Sequence, residues 1–155
     1  MMGTYLEIDI PMRWGDMDAY GHINNVEIVR MLEEARVHAF GRPAGTGAPG
    51  VEPEFPVFPD LPAGVQILVV EHWIKYRAPL RYRNIPAKVQ VWITALKPAS
   101  LTLAYRISDP VDGVECALAE TVLAFYDEPA GVLRRIDAAR RASLEPLLGT
   151  SIFPR

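Results

Sequence analysis

Between residues 13 and 36 the chain gathers Asp16, Asp18, His22, Asn24 and Asn25 directly ahead of a segment with helical periodicity. Carboxylates and an imidazole are the side chains that attack carbonyls or move protons at neutral pH. A helix N-terminus adds unpaired backbone N–H groups and about half a positive charge, which polarise a carbonyl oxygen lying against them. The chemistry suggested is acyl transfer or hydrolysis. Asp and Asn before a helix are also its commonest caps, so each of these residues has a structural reading beside the chemical one.

The element that must carry them is a helix over residues 25–40. Ile28, Leu32, Ala35 and Ala39 recur at the spacing of one apolar stripe, while Glu27, Arg30 and Glu34 share another face with favourable charge pairs. Asn24 followed by Glu27 resembles a capping box, and Gly41 and Pro43 end the helix. Ahead of it, Tyr5, Ile8 and Ile10 alternate with Glu7 and Asp9, as in a first strand. Residues 41–64 hold six of the fourteen prolines and five of the eleven glycines, which predicts no regular element there. That stretch reads as a mobile connector or a lid, and Phe55, Val57 and Phe58 favour the lid.

Strand patterns follow over 65–76, 87–96, 101–108 and 114–126, joined by short turns that imply an antiparallel meander. Residues 136–148 add a short helix. The expectation is an α+β protein with one helix packed on a curved antiparallel sheet, a single domain over residues 1–155.

Composition narrows the classes. Half of the 155 residues are hydrophobic and 23% are charged, ordinary for a folded globular chain. The longest purely aliphatic run is Ile67–Val70, far short of the ~20 residues that span a bilayer, so no membrane association is expected. Residues 1–9 carry two acids and no apolar run, unlike a secretory leader. Cys116, the one cysteine, excludes an internal disulfide and reads as a small buried apolar residue; a reducing cytoplasm fits. Three histidines without ligand spacing give no metal signal. His38 reads as solvated and His72 as an ordinary strand residue. Glu120, odd in an apolar strand, reads as paired rather than catalytic.

The net charge of −3 hides an asymmetry. From His72 to Ser108 there is no acid, yet Lys75, Arg77, Arg81, Arg83, Lys88, Lys97 and Arg106 all fall there. These are either solvated strand faces or a site for the phosphates of a nucleotide-like carrier. With a pI near 5.6, nucleic acid is excluded as a partner.

The run Asp16-Met-Asp18-Ala-Tyr20-Gly21-His22-Ile-Asn24-Asn25, with Glu34-Ala-Arg36 further on, resembles the signature of the 4-hydroxybenzoyl-CoA thioesterase group of hotdog-fold proteins. Tyr76-x-x-Pro79-Leu80, Ser100-Leu101-Thr102 and Glu120-Thr121-Val122 agree with it, so the likeness runs from about residue 5 to 148. It implies a hotdog fold, a sheet wrapped around a central helix, acting as a homodimer or homotetramer with sites at subunit interfaces. It implies an acyl-CoA thioesterase with Asp18 as general base or nucleophile and His22 assisting. The same likeness puts Tyr20, Gly21, Asn24, Asn25 and Ile28 around the thioester, and makes Asp16 structural, pairing with Arg36 or holding the turn.

Helix-start amides over residues 23–26 would then polarise the carbonyl, and Lys75, Arg77, Arg81 and Arg83 would hold CoA phosphates. No cofactor is implied beyond the coenzyme A of the substrate, and no metal. Tyr20, Ile28 and Arg83-Asn84 depart from the common family pattern, which leaves the acyl group open. An acyl-carrier-protein thioesterase, a hotdog hydratase and a non-catalytic acyl-CoA-binding module remain alternatives.

Overall fold

The computed structural model describes residues 4–153. Strand β1 (Leu6–Ile10) leads through a one-turn 3-10 helix at Trp14–Asp16 into helix α1 (Asn25–Phe40). Strands β2 (Val65–Tyr76), β3 (Ala87–Lys97), β4 (Ser100–Ser108) and β5 (Glu115–Asp127) follow, then a two-residue β6 (Val132–Leu133) and helix α2 (Ala138–Leu144). The sheet order is β1-β3-β4-β5-β2, every pair antiparallel, with β6 beside the end of β5. A long curled sheet thus wraps one helix, with a short helix near the C-terminus: the hotdog arrangement. β6 had no signal in the sequence. Residues 1–3, part of the stretch read as lacking a leader, lie outside the described residues.

The apolar stripe of α1 is the inner surface. Ile28, Leu32, Ala35 and Ala39 are buried together with Met31, against Val89, Val91 and Ile93 of β3 and Leu103, Tyr105 and Ile107 of β4. In β1 the inward residues are Leu6, Ile8 and Ile10; Tyr5 stands just before the strand, so Leu6 takes the place expected for it. Asn24 caps α1, but the capping box does not form. Its Oδ1 accepts from Val26 N–H at 3.0 Å, while Glu27 turns to Arg30 at 2.6 Å and Arg13 at 3.3 Å. Two cations outcompete a reciprocal bond to one amide.

Gly41 ends the helix at φ +89°, where an added Cβ would lie 2.6 Å from Pro59. Residues 41–64 are more anchored than expected. Val57 N–H bonds Phe40 O at 3.0 Å, the Phe58 ring packs on Phe40 at 5.8 Å, and residues 58–60 form a 3-10 turn. The aromatics that favoured a lid serve the core instead, because they sit where the C-terminal end of α1 needs covering. Residues 42–53 and Pro59 border a hollow of about 690 Å³ with Glu34, Val37 and His38. This is the far end of α1, some 20 Å of helix away from Asp18, so within one chain the segment is no lid over that residue.

Glu120 is paired, as its position suggested. It is buried on the outer face and accepts from Ser151 Oγ at 2.9 Å and from the N–H groups of Ile152 (2.6 Å) and Phe153 (3.2 Å). The chain after α2 thereby straps across the outer sheet, with Trp92 Nε1 donating to Thr150 O at 3.0 Å. Cys116 is buried and reduced. No helix among the described residues is long and apolar enough to cross a membrane.

Candidate active site

The turn between the 3-10 helix and α1 is built around Asp18. Its backbone N–H bonds His22 O at 2.6 Å, and Gly21 N–H returns to Asp18 O at 3.2 Å. Closing that turn needs φ +79° at Gly21, which glycine reaches without strain. The Asp18 side chain is fastened by one oxygen: Oδ1 accepts from the N–H groups of Tyr20 (2.8 Å) and His22 (3.1 Å). Those two amides hold its pKa below the usual carboxylate value, so the group is ionised at neutral pH. Oδ2 accepts no hydrogen bond among the described residues.

Asp16 is the structural carboxylate, but not through Arg36. Burial alone would raise its pKa; the Arg13 backbone and guanidinium and the Arg30 charge more than offset that and hold it low. Arg13 Nη2 lies 2.8 Å from Oδ1 and Arg30 Nη2 3.2 Å from Oδ2. Arg36 lies almost three turns further along α1, on the stripe that enters the core, and meets Tyr105 Oη and Glu33 instead.

Asp18, His22, Ile23, Asn25 and Ile28 line a pocket of about 410 Å³ whose opposite wall is Tyr76, Arg77, Ala78, Pro79 and Leu80. Two backbone ties bring the walls together: Ile23 N–H to Leu80 O at 2.9 Å and a bridge between His22 and Arg81. Tyr76 was not expected here. Its hydroxyl donates to Asn25 O at 3.4 Å, across the mouth between β2 and α1. A tyrosine ending a strand carries no sequence signal for that role, since only the register of β2 on β5 aims it at the helix.

The amides expected to polarise a carbonyl are mostly consumed. Ile23 N–H goes to Leu80 O, Asn24 N–H to Asp16 O (2.8 Å) and Val26 N–H to the Asn24 cap. Of residues 23–26 that leaves Asn25 N–H, at the first position of α1, with no acceptor among the described residues. The Asn24 side chain is likewise spent as a cap. Tyr20 projects into solvent at 85% exposure, outside the pocket lining, and Ile28 forms its buried wall.

The acid-free segment is not acid-free in space. Arg83 is held by Asp109 at 3.1 Å and Asp112 at 3.4 Å, Lys88 by Asp9 at 2.7 Å, and Arg106 by Glu115 at 2.7 Å. Lys75, Arg77 and Arg81 are exposed and form no ion pair among the described residues; Arg77 also lines the pocket. His38 is exposed, with Nδ1 on Glu34 O, and His72 is bonded to Thr121 Oγ1 at 2.8 Å. Among the described residues no group of three or more His, Cys, Asp or Glu side chains is placed to hold a metal ion.

Comparison with known proteins bears on the family and the fold. Residues 12–146 match the family model of the thioesterase-like superfamily. No curated protein matches the chain significantly. Among solved structures, a predicted thioesterase from Bacillus stearothermophilus superposes with a TM-score of 0.74 at 20% identity, covering 96% of this chain and 99% of that one. A probable thioesterase from Escherichia coli gives 0.71 at 22%, covering 92% and 98%. A Thermus thermophilus thioesterase complexed with coenzyme A and Zn gives 0.68 at 22%, covering 91% and 92%. At such identities the structural likeness is one of fold.

Proposed function

The chain belongs to the thioesterase-like superfamily, and on that premise we propose that it hydrolyses acyl-CoA thioesters, in the manner of the 4-hydroxybenzoyl-CoA thioesterase group, with Asp18 as the reacting carboxylate. The observation that carries this reading is Asp18 itself. One oxygen is clamped by two amides and the other is free, in a pocket shared with His22 and the unpartnered Asn25 N–H.

A thioester seated there would place its carbonyl oxygen on Asn25 N–H, where α1 supplies the positive end of its dipole. Asp18 is ionised at neutral pH with one oxygen free, which suits it to direct attack. Its free oxygen adds to the carbonyl carbon, the C–S bond breaks, and the CoA thiolate leaves and is protonated by water. Water then attacks Cγ of Asp18 in the mixed anhydride and gives its proton to His22. The bond from Cγ to the bridging oxygen breaks, so the acid leaves with that oxygen and the restored Asp18 carboxylate keeps the oxygen from water. Lys75, Arg77 and Arg81 are the cations available to CoA phosphates, and the fold relative from Thermus thermophilus is complexed with coenzyme A. Arg83 would reach a phosphate only by leaving Asp109 and Asp112.

The working unit in this reading is a homodimer formed along β2. That strand is the open edge of the sheet, and Leu68, Val69, Val70, Trp73 and Tyr76 are exposed on it. An apolar edge of twelve residues left open invites pairing with another strand.

The test is thiol release from short, medium, long and aromatic acyl-CoAs by wild type and Asp18→Asn. We expect hydrolysis of at least one member, falling a hundredfold or more in the variant. A single turnover in 18O-labelled water should leave label in Asp18. Tight acyl-CoA binding with no release from the wild type would instead favour a non-catalytic binding module.

A further inference from the structure

Helix α1 packs over β1 and β3 and stands back from β2. The inner-face residues of β3, β4 and β5 are buried, whereas those of β2 are open: Tyr76 and His72 are exposed and Ile74 is half-buried. An open trough therefore leads from the Asp18 pocket along β2. It begins where Tyr76 meets Asn25 beside Ile28 and follows Ile74, the next inward residue of β2, to His72, four residues from Tyr76 and about 13 Å along the strand.

The far end is polar. Arg36 is 6% exposed, Tyr105 and Thr121 are fully buried, and all three converge beside His72. Arg36 Nη1 lies 3.5 Å from Tyr105 Oη, and His72 Nδ1 lies 2.8 Å from Thr121 Oγ1. Burial raises the Tyr105 pKa, and burial together with the Arg36 charge lowers that of His72. The guanidinium is poorly matched for its depth. Among the described residues its one ion pair, with Glu33, is 3.6 Å long, and that carboxylate is 69% exposed. A buried cation is normally retained only with a close, hydrogen-bonded anion.

We propose that this trough receives the acyl chain and that Arg36, with His72 and Tyr105 beside it, selects acyl groups whose far end carries a carboxylate. The inference rests on the thioesterase reading and names its substrate class: a CoA monothioester of a medium-length dicarboxylic acid. The guanidinium would take the distal carboxylate in a two-point hydrogen-bonded pair, and His72 would donate at its edge. An uncapped chain of equal length would leave the buried charge as loosely matched as before.

The experiment compares sebacyl-CoA with decanoyl-CoA, which differ only at the distal end, in wild type, Arg36→Gln and His72→Phe. We expect the wild-type kcat/KM to favour sebacyl-CoA at least tenfold. That preference should vanish in Arg36→Gln and shrink in His72→Phe. His72 is exposed, so its variant keeps the test valid should Arg36→Gln fail to fold. Calorimetric binding of free sebacate against decanoate reads the trough without turnover. Hydrolysis of both esters with no preference, or a preference that survives both substitutions, would overturn the inference and leave the thioesterase reading standing. Equal binding of the two acids would also overturn it, and would point to a carboxylate of a second copy as the partner of Arg36. Hydrolysis of neither ester nor of any member of the wider acyl-CoA panel, with sebacate still favoured in binding, would sink the thioesterase reading and leave the trough as a binding site for the distal carboxylate.

Discussion

At the scale of single residues, the two carboxylates of one turn are told apart by what surrounds them. Asp18 is held by backbone amides alone and keeps a free oxygen; Asp16 is enclosed by Arg13 and Arg30 and has none to spare. Because the Asp18 pKa is lowered, its ionised form persists below the ordinary value of 3.8. Asp18 should therefore contribute no limb to a kcat/KM profile between about pH 5 and 8. A pH–rate profile checks this, and an acidic limb in that range that persists in His22→Gln would mean Asp18 titrates far above its expected range. Asp16→Asn should cost about 2 kcal/mol in urea unfolding at pH 7, since a buried carboxylate loses its charge-assisted bonds to the exposed Arg13 and the half-buried Arg30. A depressed carboxylate stabilises fully above its unfolded pKa and loses that contribution as pH falls through the folded one. The gap between wild type and variant should thus close below about pH 4.

At the scale of elements, α1 is asked to do two things at its first turn. Its cap residue Asn24 consumes Val26 N–H, which leaves Asn25 N–H as the amide open to a ligand. Asn24→Ala should therefore cost about 1 kcal/mol of stability, measured by thermal melting, and should lower kcat only modestly because the Asn25 amide remains. A loss as deep as that of Asp18→Asn would mean that Asn24 itself touches the thioester. The strap from Leu148 to Phe153 serves a separate purpose. It covers the outer faces of β3 and β5 and gives the buried Glu120 three donors, so an acid in an apolar strand becomes an anchor.

At the scale of the whole molecule, the sheet has one long open edge and the site lies beside it. β2 shows apolar side chains to solvent over most of its length, Val70 at 59% exposure. Pairing of β2 with its mate would cover that edge and close one side of the trough. Replacing Val69 and Val70 together with Lys should shift the protein from dimer to monomer in light scattering, because like charges meet across a symmetric antiparallel pair. Activity should fall with the dimer fraction. A wild type that is monomeric at assay concentration and still active would remove the shared-interface reading.

The local sequence determined the elements and the reactive turn. Periodicity placed α1 and four of the strands to within a residue or two, and the Asp18 to Asn25 motif supplies Asp18, His22 and Asn25 to one pocket. These depend on neighbours a few positions apart, whose spacing is read directly from the chain. Only the tertiary structure decided which groups were left free to act. It gave Arg83 to Asp109 and Asp112, took three of the four helix-start amides for Leu80, Asp16 and Asn24, and moved the partner of Asp16 from Arg36 to Arg13 and Arg30. It also brought Tyr76 to the mouth and set Arg36 and His72 at the far end of one trough. Hydrogen bonds and charges are matched through space across strands dozens of residues apart, and no spacing along the chain records which match wins.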